Sequence, residues 1–196
     1  MDPACGGWGG GDDPWNWNGG GGTDPYPPAD TTRPCQTNYP LLDDSVVQQK
    51  FAEAWEASNY GAPMNDRREQ GGWIIRTPDG RLTAQPFPAT WPAYQCGIDI
   101  PNDALAPVGA LAMYHTHPFK RGDRLTGCDP QVLPGGGRVF INYRNESSIA
   151  DDSALVGFRR RNAPDLIGLI LDADSIIAFD GSGVQSHDIK VERCGY

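Results

Sequence analysis

Residues 107–118 read PVGALAMYHTHP, an apolar run that closes on two histidines and a proline. A short apolar run of this kind, with β-branched and aromatic members and turn formers on either side, predicts a buried strand over residues 107–114. Pro118, which lacks an amide hydrogen and fixes φ, stops it. His115 and His117 stand two positions apart at the strand end, so their side chains leave from the same face and can reach one ion. The chain has three histidines, and two of them occupy this one tripeptide. The plain alternative is a pair of surface or core histidines near a strand end. Thr116 alternates to the other face and is assigned no chemistry.

Outward from this strand, helices and strands interleave. Upstream, residues 69–76 (EQGGWIIR) read as a strand, and Pro78-Asp79-Gly80 reads as a turn, Pro fixing φ and Gly accepting positive φ. Residues 69–86 are therefore expected to form a hairpin, with 87–92 irregular. Before it, Asp43, Asp44 and Ser45 offer caps to a helix from Val46 to about Ser58. Val47, Phe51, Ala54, Trp55 and Ser58 share one face of that helix, a core stripe. Downstream, turn formers dominate from Phe119 to about Gly137, a long loop bordering the histidines. A short strand over residues 138–143 (RVFINY) follows, then a helix from about Ile149 to Arg161. The strand Leu166–Leu171, its hairpin partner Ser175–Phe179 and a final strand close the chain. The fold class is α/β or α+β in a single domain, with no internal repeat.

Composition bounds the rest. A chain of 196 residues with 38% hydrophobic residues supports one core and hardly two. Residues 1–42, rich in Gly, Pro and Trp, read as a tail or linker, and 43–196 as the domain. Trp8, Trp15, Trp17, Tyr26 and Tyr39 suit docking of the tail onto a surface better than a purely entropic spacer. The net charge of −9 at pH 7 opposes a phosphate backbone and disfavours nucleic acid. Most of that acidity lies in residues 1–44, where seven aspartates face Arg33 alone. No apolar run approaches the roughly 20 residues a membrane-spanning helix needs, and no basic-then-apolar start resembles a signal peptide. Five cysteines without a C-x-x-C exclude a zinc ribbon and a thioredoxin-type pair. A Cys5–Cys35 bridge would staple the tail, whereas five free thiols is the simpler reading.

A catalytic zinc needs a third protein ligand and an open position for water. Ser148-Ile149-Ala150-Asp151 places a carboxylate at the start of a helix, and Glu69 opens the upstream strand beside Gly71 and Gly72, which permit close backbone approach. Asp151 shares a helical face with Leu155 and Phe158 and is expected to point inward. Asp152 shares the face of Val156 and Arg159, expected to be more exposed, and is the alternative third ligand. The plain alternative is that Ser148, Asp151 and Asp152 only cap the helix and suit its positive end. Other candidates weigh less. His187 reads as a surface residue and Arg159-Arg160-Arg161 as a solvated helix end. Gly135-Gly136-Gly137 lacks the Lys-Ser/Thr of a phosphate loop. Cys128 reads as a loop thiol rather than a ligand.

Taken together, Glu69 with Gly71-Gly72, His115-Thr116-His117-Pro118 and Ser148-x-x-Asp151 resemble the Glu, H-[ST]-H-P and S-x-x-D signature of the JAB/JAMM (MPN-type) zinc metallopeptidases. The resemblance spans about residues 43–180, including the order of elements. EQGGWIIR and YHTHPFKRG are similar in particular to JAB-like domains at the C-terminal ends of RHS-type polymorphic toxins. The interval from His117 to Ser148 is longer than is usual in the family, and Ser147 stands where its pattern has Pro.

The resemblance implies a mixed sheet flanked by helices and a zinc-dependent peptidase or isopeptidase, with Zn²⁺ on His115, His117 and Asp151, Glu69 as general base and Ser148 as donor to the oxyanion. It implies a protein or peptide substrate, a larger RHS-type carrier, secretion or delivery into a target cell, and a cognate immunity protein. A second reading keeps the fold without the chemistry, as an inactive JAB-like structural or protein-interaction module. A zinc nucleobase deaminase is excluded by the missing H-x-E and P-C-x-x-C.

Overall fold

Asp44 opens the first helix, α1 (Ser45–Ala57), by accepting hydrogen bonds from the amides of Val46 and Val47. This satisfies two of the donors that every helix start leaves without an internal partner. Asn59, in the left-handed region at φ 59°, turns the chain away beyond the helix. A single 3-10 turn (Met64–Asp66) leads on to the first strand.

The computed structural model of the chain describes residues 39–94, 97–120, 123, 131–132, 138–139, 147–182 and 189–192. Among the described residues the strands in chain order are β1 (Gly71–Arg76), β2 (Leu82–Pro86), β3 (Ala93–Tyr94), β4 (Gly97–Ile98), β5 (Ala110–Thr116), β6 (Gln131–Val132), β7 (Arg138–Val139), β8 (Ile167–Leu171), β9 (Ser175–Phe179) and β10 (Ile189–Glu192). A second helix, α2 (Ile149–Arg161), lies between β7 and β8. Six strands form one mixed sheet in the order β10-β9-β8-β5-β1-β2, and β3-β4 and β6-β7 are separate two-stranded pairs. All neighbours in the large sheet are antiparallel except β5 and β8. A parallel pair cannot be joined by a tight turn, and the long crossover between these two contains α2.

Side-chain alternation divides the core between the two faces of this sheet. Trp73, Met113, Ile170 and Ile177 pack with Leu155 and Phe158 of α2. Ile74, Ala112, Tyr114, Leu169, Leu171 and Ile176 pack with Val47 and Phe51 of α1. Fully burying each such side chain contributes about 1.5–3 kcal/mol, so each helix is held by its apolar stripe. Leu42 belongs to the α1-side core, just before the expected domain start at 43. Among the described residues no helix is long and apolar enough to cross a membrane.

The mixed α+β architecture, the two helices, the β1–β2 hairpin and the β8–β9 hairpin agree with the sequence expectations. Some boundaries differ. β1 begins at Gly71 rather than 69, so Glu69 lies just before it, and β8 begins at Ile167 rather than 166. The buried strand begins at Ala110 rather than 107, because residues 107–109 turn into it; it carries His115 at its end as expected, and His117 follows just beyond. The pair β3–β4 follows the segment expected to be irregular; its two-residue strands are too short for a period to register. The described part of the RVFINY segment is the two-residue strand β7. The tail to residue 38, all five cysteines and His187 lie outside the described residues.

Candidate metal centre

The α2-facing side of β5 is apolar at Met113 and becomes polar at the next position on that face, His115. His117 follows immediately beyond the strand, and its amide donates to the Leu171 carbonyl at 2.8 Å, tying it to the end of β8. On α2, Ser148 is the N-cap. Its hydroxyl accepts from the Asp151 amide at 3.1 Å, while its own amide donates to Asp151 Oδ2 at 2.7 Å, a reciprocal capping box. That box fixes the rotamer of Asp151 and aims the carboxylate at the histidines. His115 Nε2 lies 3.1 Å from Asp151 Oδ1, His117 Nε2 lies 3.9 Å from Oδ2, and the two Nε2 atoms are 3.0 Å apart. One ligand atom from each of the three residues falls within 4.8 Å of the others.

This spacing fits a tetrahedral ion. Ligands about 2.0–2.1 Å from zinc at tetrahedral angles stand about 3.3 Å from one another; the Nε2–Nε2 separation and the approaches of His115 and His117 to different oxygens of the Asp151 carboxylate lie near that value. The donor set, two imidazoles and one carboxylate, is one zinc accepts, and three protein ligands leave a fourth position open. Without an ion the cluster satisfies itself electrostatically. Burial opposes the charged form of His115, but the Asp151 carboxylate, its hydrogen bond and Glu69 outweigh that and push its pKa up to about 9. Burial and the neighbouring His115 charge bring His117 down to about 4. Burial also opposes ionisation of Asp151, yet His115 above all holds it well below the usual carboxylate range.

Glu69 is brought to the same place by a different route. In the β1–β5 register Gly71 lies opposite His115, so the chain entering β1 runs past His117. The Glu69 amide donates to the Tyr94 carbonyl at 2.9 Å, and the side chain is buried. Burial pushes its carboxyl up to about 8; the Asp151 charge adds to this and His115 opposes it. Gly71 is required here for space, because a Cβ would come within 2.6 Å of the Phe87 ring and 2.7 Å of the Tyr114 carbonyl. The structure thus gathers Glu69, His115, His117, Ser148 and Asp151 at one end of the sheet.

One reading of the sequence is corrected, and one residue given no chemistry is found in a structural role. Asp152 was expected on an exposed face and is buried; the face it shares with Val156 is covered, Val156 lying against Gly181 of the segment after β9. It nonetheless stands outside the ligand group, which takes Asp151. Thr116, given no chemistry, positions the site: its Oγ1 accepts from the Gln70 amide at 2.9 Å while its amide donates to the Gln70 carbonyl at 2.8 Å. The hydroxyl thereby fastens the residue after Glu69 to the residue between the histidines. Its signal in the sequence was only its place in the motif, because the strand register that makes the contact is a long-range property. No protein-family model, curated protein or solved structure matches the chain.

Proposed function

We propose that the chain is a zinc-dependent peptidase or isopeptidase of JAB/JAMM type. The carrying observation is the convergence of His115, His117 and Asp151 within ligand distance of one another beside the buried carboxyl of Glu69. His115, His117 and Asp151 would hold a zinc ion, which when bound would supply an activated water and polarise an amide carbonyl. Glu69 takes the water proton and delivers it to the departing amine. Its raised pKa belongs to the cluster without an ion, and a nearby dication favours the carboxylate form a base requires. Ser148 accepts the Asp151 amide through its oxygen, which leaves the hydroxyl proton to donate to the developing oxyanion. Burial of His115 and Glu69 limits the water that would compete for these bonds.

By resemblance we assign the chain a protein or peptide substrate and the role of effector domain of a larger, secreted RHS-type protein. A cognate immunity protein is its expected inhibitor. The test is hydrolysis of internally quenched peptides and of an isopeptide-linked lysine conjugate by the zinc-loaded chain, beside Glu69→Gln. Cleavage by the wild type and its loss in Glu69→Gln with zinc retained is the expected result. Zinc-loaded protein with equal activity in both would remove Glu69 from the mechanism.

A second reading, an inactive JAB-like structural or interaction module, is favoured by one observation. The His115–Asp151 contact and the His115–His117 hydrogen bond already satisfy the three side chains without an ion. Absence of zinc uptake at neutral pH would support it.

A further inference from the structure

Arg67 is 4% exposed, and a buried guanidinium is retained only where its donors are met. Here two of its acceptors lie in the segment that leaves His117. Nε donates to the Ala62 carbonyl at 2.9 Å. One terminal nitrogen donates to the Pro118 carbonyl at 3.3 Å and to Asp123 Oδ2 at 2.6 Å. Asp123 Oδ2 also accepts the Lys120 amide at 2.7 Å, closing the turn that leaves His117. The guanidinium carbon lies 5.6 Å from the Tyr60 ring centroid, and Lys120 Nζ lies 5.1 Å from the same centroid.

Arg67 is two residues before Glu69, and Pro118 is the residue after His117. We infer that Arg67 is a positioning residue of the metal centre, its pair with Asp123 locking the chain that enters Glu69 to the chain that leaves His117. The inference rests on the metal reading of His115, His117 and Asp151. Strand pairing through Thr116 and Gln70 fixes the two segments on the inner side of these residues, and Arg67 fixes them on the outer side. Glu69 and His117 are each held between two anchors. A flexible ammonium at the same place supplies charge but not the fixed fork that spans a carbonyl and a carboxylate. Arg67 bonds to none of the three ligands itself, so its loss is expected to lower metal affinity by less than the roughly 10–100-fold that follows loss of a partner bonded directly to a ligand.

The experiment is titration of the full chain with Co²⁺, read by its visible ligand-field bands, with zinc affinity by competition, for wild type, Arg67→Met, Arg67→Lys and Asp123→Asn. Thermal melts of the metal-free proteins run alongside. Arg67→Met is expected to bind up to about tenfold more weakly, with altered band intensities. Arg67→Lys is expected to recover only part of the loss, and Asp123→Asn to show a smaller loss in the same direction. A change in band shape separates positioning from a lowered melting temperature alone, which a merely structural role would also give. Should Arg67→Met fail to fold, Asp123→Asn decides, since it keeps the shape and removes only the charge of the partner. Wild-type spectra and affinities in the variants overturn the inference and leave the metal reading standing. A wild-type chain that takes up neither Co²⁺ nor Zn²⁺ overturns both.

Discussion

The two helices are the same length and begin with the same device, yet only one of those beginnings does anything further. At α1, Asp44 accepts two backbone amides at the surface, and its role ends there. At α2, Ser148 and Asp151 cap each other, and the capped carboxylate still has an oxygen 3.1 Å from His115 Nε2. Capping and ligation are therefore not rival readings of Ser148-x-x-Asp151. The cap holds the carboxylate that would serve as ligand, and the difference between the helix starts lies in what the sheet presents to them. Above α2 the apolar face of β5 gives way to His115, whereas the α1 face stays apolar through Tyr114, whose ring packs 5.1 Å from that of Phe51.

Removing the two capping carboxylates should separate the ends most sharply. Asp151→Ala is expected to lower zinc affinity by more than about 100-fold, beyond the loss of any outer partner. It should also destabilise the metal-free protein by about 3 kcal/mol at neutral pH by stranding His115. Asp44→Ala is expected to cost about 1 kcal/mol and leave zinc affinity unchanged. Denaturant unfolding and competition titration read both. Equal metal affinity in the two variants would break the comparison.

Acidity gives the next largest effect. His115 has its folded pKa raised from 6.5 to about 9. Its contribution is therefore complete below pH 6.5 and is lost as pH rises through about 9, on the order of 2–3 kcal/mol. Glu69, raised from 4.5 to about 8, acts in the same direction between those values, since the folded state keeps a proton the unfolded chain has released. Melts of the metal-free protein should fall steadily from pH 6 to 9. Zinc must displace the His115 proton, so its affinity should rise over the same range, with proton release seen by calorimetry in two buffers of different ionisation enthalpy. A pH-independent affinity would contradict the assignment of His115.

Ser148→Ala is a smaller perturbation and tests whether the cap holds the ligand. It is expected to cost about 1 kcal/mol of stability and about tenfold in zinc affinity; a stability loss with metal affinity intact would return Ser148 to capping alone. Asp152→Asn should have the least effect on the metal, leaving zinc affinity within about twofold, since Asp152 is buried apart from the ligand group.

Much of this was legible in the sequence because it is local. The 3.6-residue stripe of α1, the Pro-Asp-Gly turn after β1 and the two-residue spacing of His115 and His117 each follow from the backbone geometry of a few neighbouring residues. The face of Asp151 was legible through Leu155 and Phe158, one and two turns further along α2. What was not legible depends on distant pairing. The order of strands, the bond from Thr116 to Gln70 and the clamp from Arg67 to Asp123 join residues tens of positions apart, and no local period encodes them. Burial of Asp152 escaped for the same reason, because the segment after β9 that covers its helix face is remote in the chain.

On the metal reading, the face of β5 turned towards α2 ends in a metal centre. Elemental analysis of the purified chain, supplied with zinc at neutral pH, beside His115→Ala and His117→Ala, decides that reading. About one zinc per chain, as one tetrahedral site would hold, and its loss in both variants is the expected result. A wild-type chain without zinc, or zinc retained by both variants, would contradict the reading.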